Sequence, residues 1–278
     1  MTTSPDAPRP VTQFLQLNEG RIAYDRTGSG PMVLLVPGMG ELRASYRFLG
    51  PRLVKAGFTV VTCDLRGHGE SSASFTSYGD ADTAGDISAL LEHLGEPAVV
   101  AGNSMAAGAA VIAAADRPDL VAGLVLIGPF VRNPPNQSAA VGLAFRMLMA
   151  KPWAARVWGM YLPMLYAGRQ PADFSDYRRE VVAAIRRPGY GKSFSLTTRT
   201  THAPAEAALA RVSAPTLVIM GEKDPDFKDP ASEAQWVAAA LDGSVVMVPD
   251  TGHYPQSQDP AIVGDAVVQF LASAVYRA

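Results

Sequence analysis

The stretch Ala98-Val-Val-Ala-Gly102-Asn-Ser104-Met-Ala-Ala-Gly108 decides how the whole chain is read. An uncharged, valine-rich run gives way to small residues with a serine at the junction, the pattern of a buried strand turning directly into a helix. A serine so placed has two readings. It can cap the helix, a common use of Ser at such a junction. It can also be a nucleophile, presented on a turn so tight that its own backbone is strained and the residues two positions either side must be tiny, here Gly102 and Ala106. Taken alone, the two readings weigh equally. Residues 97–115 carry no charge over 19 positions, long enough to span a bilayer. Asn103 and Ser104 would then sit at mid-membrane with no second span following, so the strand-and-helix reading fits better.

Outward from this stretch, short apolar runs alternate with helical patterns, the signature of strands joined by helical crossovers into a mostly parallel sheet. Residues 14–17 and 21–25 flank Asn18-Glu19-Gly20 and predict an antiparallel hairpin. Residues 32–36 form a buried strand, a helix over 44–56 stops at Gly57, and 58–63 is the next strand. A helix over 80–94 has Ile87, Leu90, Leu91 and Leu94 at helical spacing and closes at Gly95. Strand 98–101, helix 105–115 and strand 121–127 follow. The rhythm breaks from 129 to 211, a segment rich in Trp, Tyr, Met and Arg without clear strands, read as an insertion. It resumes with strand 216–220, a helix near 230–241, strand 245–248 and a final helix over 260–275. Residues 1–13 are expected to be a loose tail, polar and proline-rich at its start and without the pattern of a secretory signal.

Two further segments carry chemical groups. Thr216-Leu-Val-Ile-Met220-Gly-Glu-Lys-Asp224 puts a carboxylate just after a strand, and Val245-Val-Met-Val-Pro-Asp-Thr-Gly252-His253 puts a histidine in the loop after the next. Both strand ends are expected on the edge that carries ligands in an open parallel sheet. Asp224 could instead cap the next helix, and His253 could be an ordinary loop histidine. Serine, acid and histidine in that order, each at a carboxyl-terminal strand end, form the chain order of the α/β-hydrolase triad.

From residue 14 onward the chain resembles the α/β-hydrolase superfamily. Leu35-Val-Pro37-Gly38-Met39-Gly40 is similar to its oxyanion loop, and Asp64-Leu-Arg-Gly-His-Gly-Glu-Ser71 to its turn after the following strand. Pro37 stands where a histidine often precedes the loop glycine, and Ala106 replaces the last glycine of G-x-S-x-G. The resemblance implies a mostly parallel eight-stranded sheet flanked by helices, with a helical cap inserted after strand six. The domain boundaries that follow are a core over 14–128 and 212–278 and a cap over 129–211. It also implies Ser104 as nucleophile, His253 as general base and acid, Asp224 as the carboxylate that orients it, and the backbone N–H groups of Met39 and Met105 as the oxyanion hole. Asp224 is expected to be the acid rather than Asp226, which follows Pro225 and could cap a later helix. A serine at 104 argues against the epoxide hydrolases and haloalkane dehalogenases of the same fold, which use aspartate.

Composition removes other classes. With 24 Lys+Arg against 26 Asp+Glu and 48% hydrophobic residues, the chain is neither disordered nor a nucleic-acid binder that works through charge. One cysteine, Cys63, excludes an intrachain disulfide framework, and four scattered histidines speak against a zinc site. Gly38 and Gly40 lack the third glycine of a dinucleotide fingerprint, since position 43 is arginine. His68, His93 and His202 are expected to be loop, surface or cap residues, and Cys63 a packed core thiol. The insertion holds 12 Lys+Arg and four Asp+Glu, a net plus 8. Most of these cations are expected on solvated faces beside acidic neighbours.

The expected activity is that of a cofactor-free, cytoplasmic serine hydrolase acting on an ester, thioester or lactone. Its partner would be a small-molecule acyl substrate, with no nucleic acid and no membrane span; a homo-oligomer is left open. Aromatic and methionine side chains of the insertion suit a hydrophobic acyl compound. Hydrolysis of a carbon-carbon bond with the same triad, or a ligand receptor of the same fold with weak turnover, are the alternatives.

Overall fold

Runs of apolar side chains without polar interruption can only sit where both faces of a strand are covered. In the computed structural model, which describes residues 11–133 and 139–276, every residue of β3 (Met32–Val36), β5 (Ala98–Asn103) and β7 (Thr216–Gly221) is buried. These are interior strands of one eight-stranded sheet with β1 (Gln13–Gln16), β2 (Arg21–Thr27), β4 (Thr59–Cys63), β6 (Val121–Ile127) and β8 (Ser244–Val248), in the order β1-β2-β4-β3-β5-β6-β7-β8. β1 and β2 are the antiparallel hairpin, and β2 runs antiparallel to β4. All other pairs are parallel. Val36 lies opposite Gly102, Asn103 opposite Ile127, and Gly221 opposite Val248, so the loops leaving β3, β5, β6, β7 and β8 emerge along one edge.

Helices cover both faces. α1 (Leu49–Lys55) and α11 (Pro260–Phe270) bury Leu49, Leu53, Val263 and Val267 on one side. α2 (Asp80–Leu94), α3 (Met105–Asp116) and α9 (Pro230–Ala240) bury Ile87, Leu90, Val111 and Val237 on the other. A short α10 (Pro255–Gln258) precedes α11. Between β6 and β7 the described residues form five α-helices: α4 (Ala139–Leu148), α5 (Ala154–Leu165), α6 (Phe174–Arg186), α7 (Tyr190–Thr197) and α8 (Ala203–Ala208). Their own apolar cluster joins Trp158, Leu162, Phe174, Tyr177, Val181 and Phe194 to the core residue Tyr254. Among the described residues no helix is long and apolar enough to cross a membrane.

The expected helix over 44–56 is divided into a single 3-10 turn, Arg43–Tyr46, and α1. Pro51 is the reason. Its ring collides with a helical carbonyl four residues earlier, at Arg47, while its missing N–H costs nothing in the first turn of α1. The last helix likewise continues past Phe270 only as one π turn, Leu271–Val275. The tail expected over 1–13 falls mostly outside the described residues, and Gln13 already pairs with Tyr24 in the sheet.

Candidate active site

The sharp turn between β5 and α3 has a local cause. Ser104 holds φ 59° and ψ −126°, a conformation that costs a non-glycine residue about 1–3 kcal/mol. Three backbone hydrogen bonds hold it there: Ser104 N–H donates to Ile127 O (2.9 Å), and the Phe130 and Ala107 N–H groups donate to Ser104 O (3.2 and 3.0 Å). A side chain at position 102 would run into Ala106 O, and one at position 38 would lie 2.8 Å from Ser104 Cβ. Small residues at those sites therefore let β5 turn and let the loop after β3 lie against the serine. The Ser104 hydroxyl makes no capping bond to α3.

Asp224 and His253 are in direct contact. Both are buried, and His253 Nδ1 lies 2.7 Å from Asp224 Oδ2. With the proton assigned to Nδ1, the ring donates to the carboxylate and turns Nε2 away as an acceptor. Nε2 is buried with no hydrogen-bond partner, so a Ser104–His253 hydrogen bond is not made in this structure. Neighbouring atoms nevertheless join the serine turn to the histidine loop. Asn103 Nδ2 donates to Ile127 O (3.0 Å) and to His253 O (3.2 Å), and the imidazole lies so close over Gly128 that an added Cβ would be 3.1 Å from Nδ1. The Asp226 N–H donates to Asp224 Oδ1 (3.1 Å), which fixes the carboxylate plane.

The N–H of Met105 stands at the first position of α3, where a helix offers no internal partner. Met39 follows Gly38 in the loop lying against Ser104. Neither N–H donates a backbone hydrogen bond among the described residues. The next N–H in that loop is taken: Gly40 donates to His68 Nε2 (3.1 Å), and His68 Nδ1 then donates to Arg66 O (3.0 Å). His68 is thus a buried strut, and burial holds its ring below the ordinary histidine value. Asp64 organises the rest of that turn by accepting from the Arg43 and Glu70 N–H groups (2.8 and 2.9 Å) and pairing with the Arg43 guanidinium. Cys63 is buried, and burial pushes its thiol far up.

Several residues at this site escaped the sequence reading. Glu41 is completely buried, accepts from Tyr177 Oη on α6 (2.6 Å) through Oε2, and leaves Oε1 without a partner. Burial outweighs that hydrogen bond and pushes its carboxyl up to about 8. Trp158 on α5 donates from Nε1 to Gly40 O (3.0 Å), and Leu165 at the end of α5 accepts from His253 N–H (2.8 Å). Asp226 caps no helix, since Asp229 takes that role by accepting from Ser232 N–H (3.0 Å). Its Oδ1 accepts instead from Tyr161 Oη on α5 (2.6 Å), and its Oδ2 lies 3.7 Å from His253 Nδ1. Glu41 directly after Gly38-Met-Gly40, and Asp226 two residues after Asp224, are the visible signals. Their aromatic partners gave none, because they lie 65 and 136 positions away.

Burial alone would depress His253, but Asp224, with smaller help from Asp226 and Glu41, outweighs it and lifts the imidazole to about 9. Asp224, Asp226 and His253 bring a ring nitrogen and two carboxylate oxygens within 4.8 Å of one another, a cluster closed by its own hydrogen bond rather than a ligand set. As the side chains stand, His253 Nδ1 is engaged by Asp224.

Comparison with known proteins agrees with this architecture. The family described as alpha/beta hydrolase fold matches residues 31–260. The chain is similar to 2-(acetamidomethylene)succinate hydrolase of Mesorhizobium japonicum, 30% identical over 91% of this chain and 92% of that protein. It is also similar to human monoglyceride lipase, 28% identical over 71% of this chain and 67% of the lipase. A bromoperoxidase from Bacillus anthracis has the same fold, with a TM-score of 0.82 at 20% identity over 94% of this chain and 99% of that one.

Proposed function

Since the chain belongs to the alpha/beta hydrolase fold family, we propose that it is a serine hydrolase that cleaves an ester, thioester or lactone through an acyl-enzyme at Ser104. One observation carries the reading: a buried histidine bonded through Nδ1 to Asp224 keeps Nε2 unpartnered, and its loop is tied through Asn103 to the strained turn that holds Ser104. A neutral serine is a poor nucleophile, so Nε2 removes its proton as Oγ attacks the acyl carbon, and Asp224 stabilises the imidazolium that forms. The N–H groups of Met39 and Met105 receive the developing oxyanion; losing one such donor costs about 3 kcal/mol in a comparable enzyme. His253 then protonates the leaving group, and water drawn in by the same base hydrolyses the acyl-enzyme.

In this reading residues 129–211 form a cap, and α5 and α6 close over the site through Trp158, Tyr161 and Tyr177. Their ring faces favour a hydrophobic acyl compound of moderate size. Labelling of Ser104 by a fluorophosphonate, absent in Ser104→Ala, tests the activated serine, and a panel of acyl substrates then sorts the bond cleaved. A protein that neither labels nor turns over any member of the panel would be a receptor of the same fold instead. The relative named for 2-(acetamidomethylene)succinate places an acylated enamine dicarboxylate on that panel, together with a ketone that would report carbon-carbon cleavage.

A further inference from the structure

His253 faces more carboxylate than the proposed mechanism needs. Asp224 already occupies Nδ1 at 2.7 Å, yet Asp226 brings Oδ2 to 3.7 Å from the same nitrogen. Holding a second, largely buried carboxylate there is costly unless something stabilises its charge. Tyr161 supplies the one side-chain hydrogen bond that Asp226 receives among the described residues, and it comes from the inserted helix rather than the core. Trp158, Tyr161 and Leu165 follow at spacings of three and four on α5, so they share one face of that helix. That face touches Gly40 O through the indole, Asp226 through the phenol, and His253 N–H through the Leu165 carbonyl. A shift of α5 against these loops would therefore carry Tyr161 away from Asp226.

We propose that Asp226 is a positioning residue, a second carboxylate on His253, and that Tyr161 keeps it ionised there, so that the seating of α5 sets how readily the imidazole takes a proton. This deepens the hydrolase reading and rests on it for calling His253 the base. The groups facing the imidazole are few. Asp224 and Asp226 come from the loop after β7, Glu41 from the loop after β3, Tyr161 from α5, and Tyr254 from the histidine's own loop; Phe130, after β6, presents its ring at 5.8 Å. Among these, the Asp226–Tyr161 pair alone ties an acid next to Nδ1 to a helix from between β6 and β7. Burial already raises Asp226, and removal of the phenol would let it hold its proton over a wider range of pH. The imidazole would then lose one of the charges that favour its cationic form.

The test is the titration of the His253 ring, followed by NMR in the wild type, Tyr161→Phe, Asp226→Asn and the double variant. The acid limb of kcat/KM on an ester is measured alongside. Asp226→Asn keeps the backbone N–H that orients Asp224 and should lower the His253 midpoint by about one pH unit, within the range expected for an opposite charge at this distance. Tyr161→Phe should lower it in the same direction by a smaller amount, and should add nothing in the Asp226→Asn background. A merely structural role for Tyr161 would reduce kcat/KM evenly across pH and leave the midpoint in place. An unmoved or raised midpoint in Tyr161→Phe, or shifts that add in the double variant, overturns the proposal; should Asp226→Asn not fold, Tyr161→Phe alone decides it. A protein inert toward every ester but showing the expected midpoints would instead overturn the hydrolase reading and leave the coupling standing.

Discussion

Core and insertion approach His253 from opposite sides and hold it by different means. On the core side, apart from Asp224 on Nδ1, the contacts are backbone and short residues: Ser104 N–H to Ile127 O, the Asn103 amide to His253 O, glycines at 38 and 102 where a side chain would collide, and Gly128 where one would crowd the imidazole. On the insertion side one backbone bond, His253 N–H to Leu165 O, is joined by the tips of long side chains around the loops, with the Trp158 indole on Gly40 O, the Tyr161 phenol on Asp226 and the Tyr177 phenol on Glu41. A sheet edge fixed by backbone geometry has one arrangement. Two helices, docked through two aromatic tips on α5 and one on α6, can be loosened by exchanging single side chains.

Breaking the core side should therefore cost the most. Ser104→Ala removes the hydroxyl while filling the same tight space, and turnover should fall by about a million-fold, as in a serine protease that loses its nucleophile, with the thermal unfolding midpoint preserved. Retention of even a tenth of the wild-type rate, about 1.4 kcal/mol of barrier, would refute the role given to Ser104. Asp224→Asn should cost on the order of ten-thousand-fold in kcat by allowing the wrong imidazole tautomer. Asp226→Asn, one contact further out, should cost far less at the pH optimum. Kinetics of the two variants at matched stability would reverse the assignment if position 226 proved the more damaging.

Exchanging insertion contacts should show up in stability before chemistry. Trp158 is buried against Phe194 and Tyr161, with ring centroids 5.3 and 5.8 Å away. Trp158→Ala should cost about 3–5 kcal/mol through the cavity it leaves, whereas Trp158→Phe keeps one aromatic ring, loses the donor to Gly40 O and the pyrrole edge, and should cost less, about 1–3 kcal/mol. Denaturant unfolding compares the two, and equal losses would show that the pyrrole edge with its N–H, not the six-membered ring, seats α5.

The same division explains what could be read from sequence. The strand-turn-helix at Ser104, the acid after β7 and the histidine after β8 are local patterns, set by short apolar runs and the small residues between them. The helix over 44–56 failed locally too, because Pro51 acts on a carbonyl four residues back. Asp226 offers only a possible helix cap to a local reading, because its partners, Tyr161 of α5 and His253, are both far off in sequence. The insertion's net plus 8 looks like a field for anionic substrates, yet Arg178 Nε donates to Gly159 O, Arg187 to Gly69 O, and Arg132 pairs with Glu233. Charge reversal at Arg178 or Arg187 would break those contacts before it tested any steering.

The smallest expected effect sharpens the comparison most, because it isolates one contact between the two regions. Glu41 lies in the loop after β3 but is held by Tyr177 of α6, and burial lifts its carboxyl from 4.5 to about 8. A group whose folded pKa is raised binds its proton more tightly in the folded state, so the stability this provides is complete below about 4.5 and is lost as pH rises through 8. Glu41→Gln stays neutral at every pH, and its amide oxygen can still accept from Tyr177. The unfolding midpoints of wild type and variant should therefore lie close together near pH 5 and separate toward pH 8.5, with the variant the more stable. His253, raised from 6.5 to about 9, gives a second loss of the same sign above pH 6.5. It remains in both proteins, so Glu41→Gln should flatten the dependence without abolishing it. Parallel curves from pH 5 to 8.5 would mean that Glu41 is ionised throughout, and that its contact with Tyr177 is an ordinary charged hydrogen bond rather than a joint that weakens with pH.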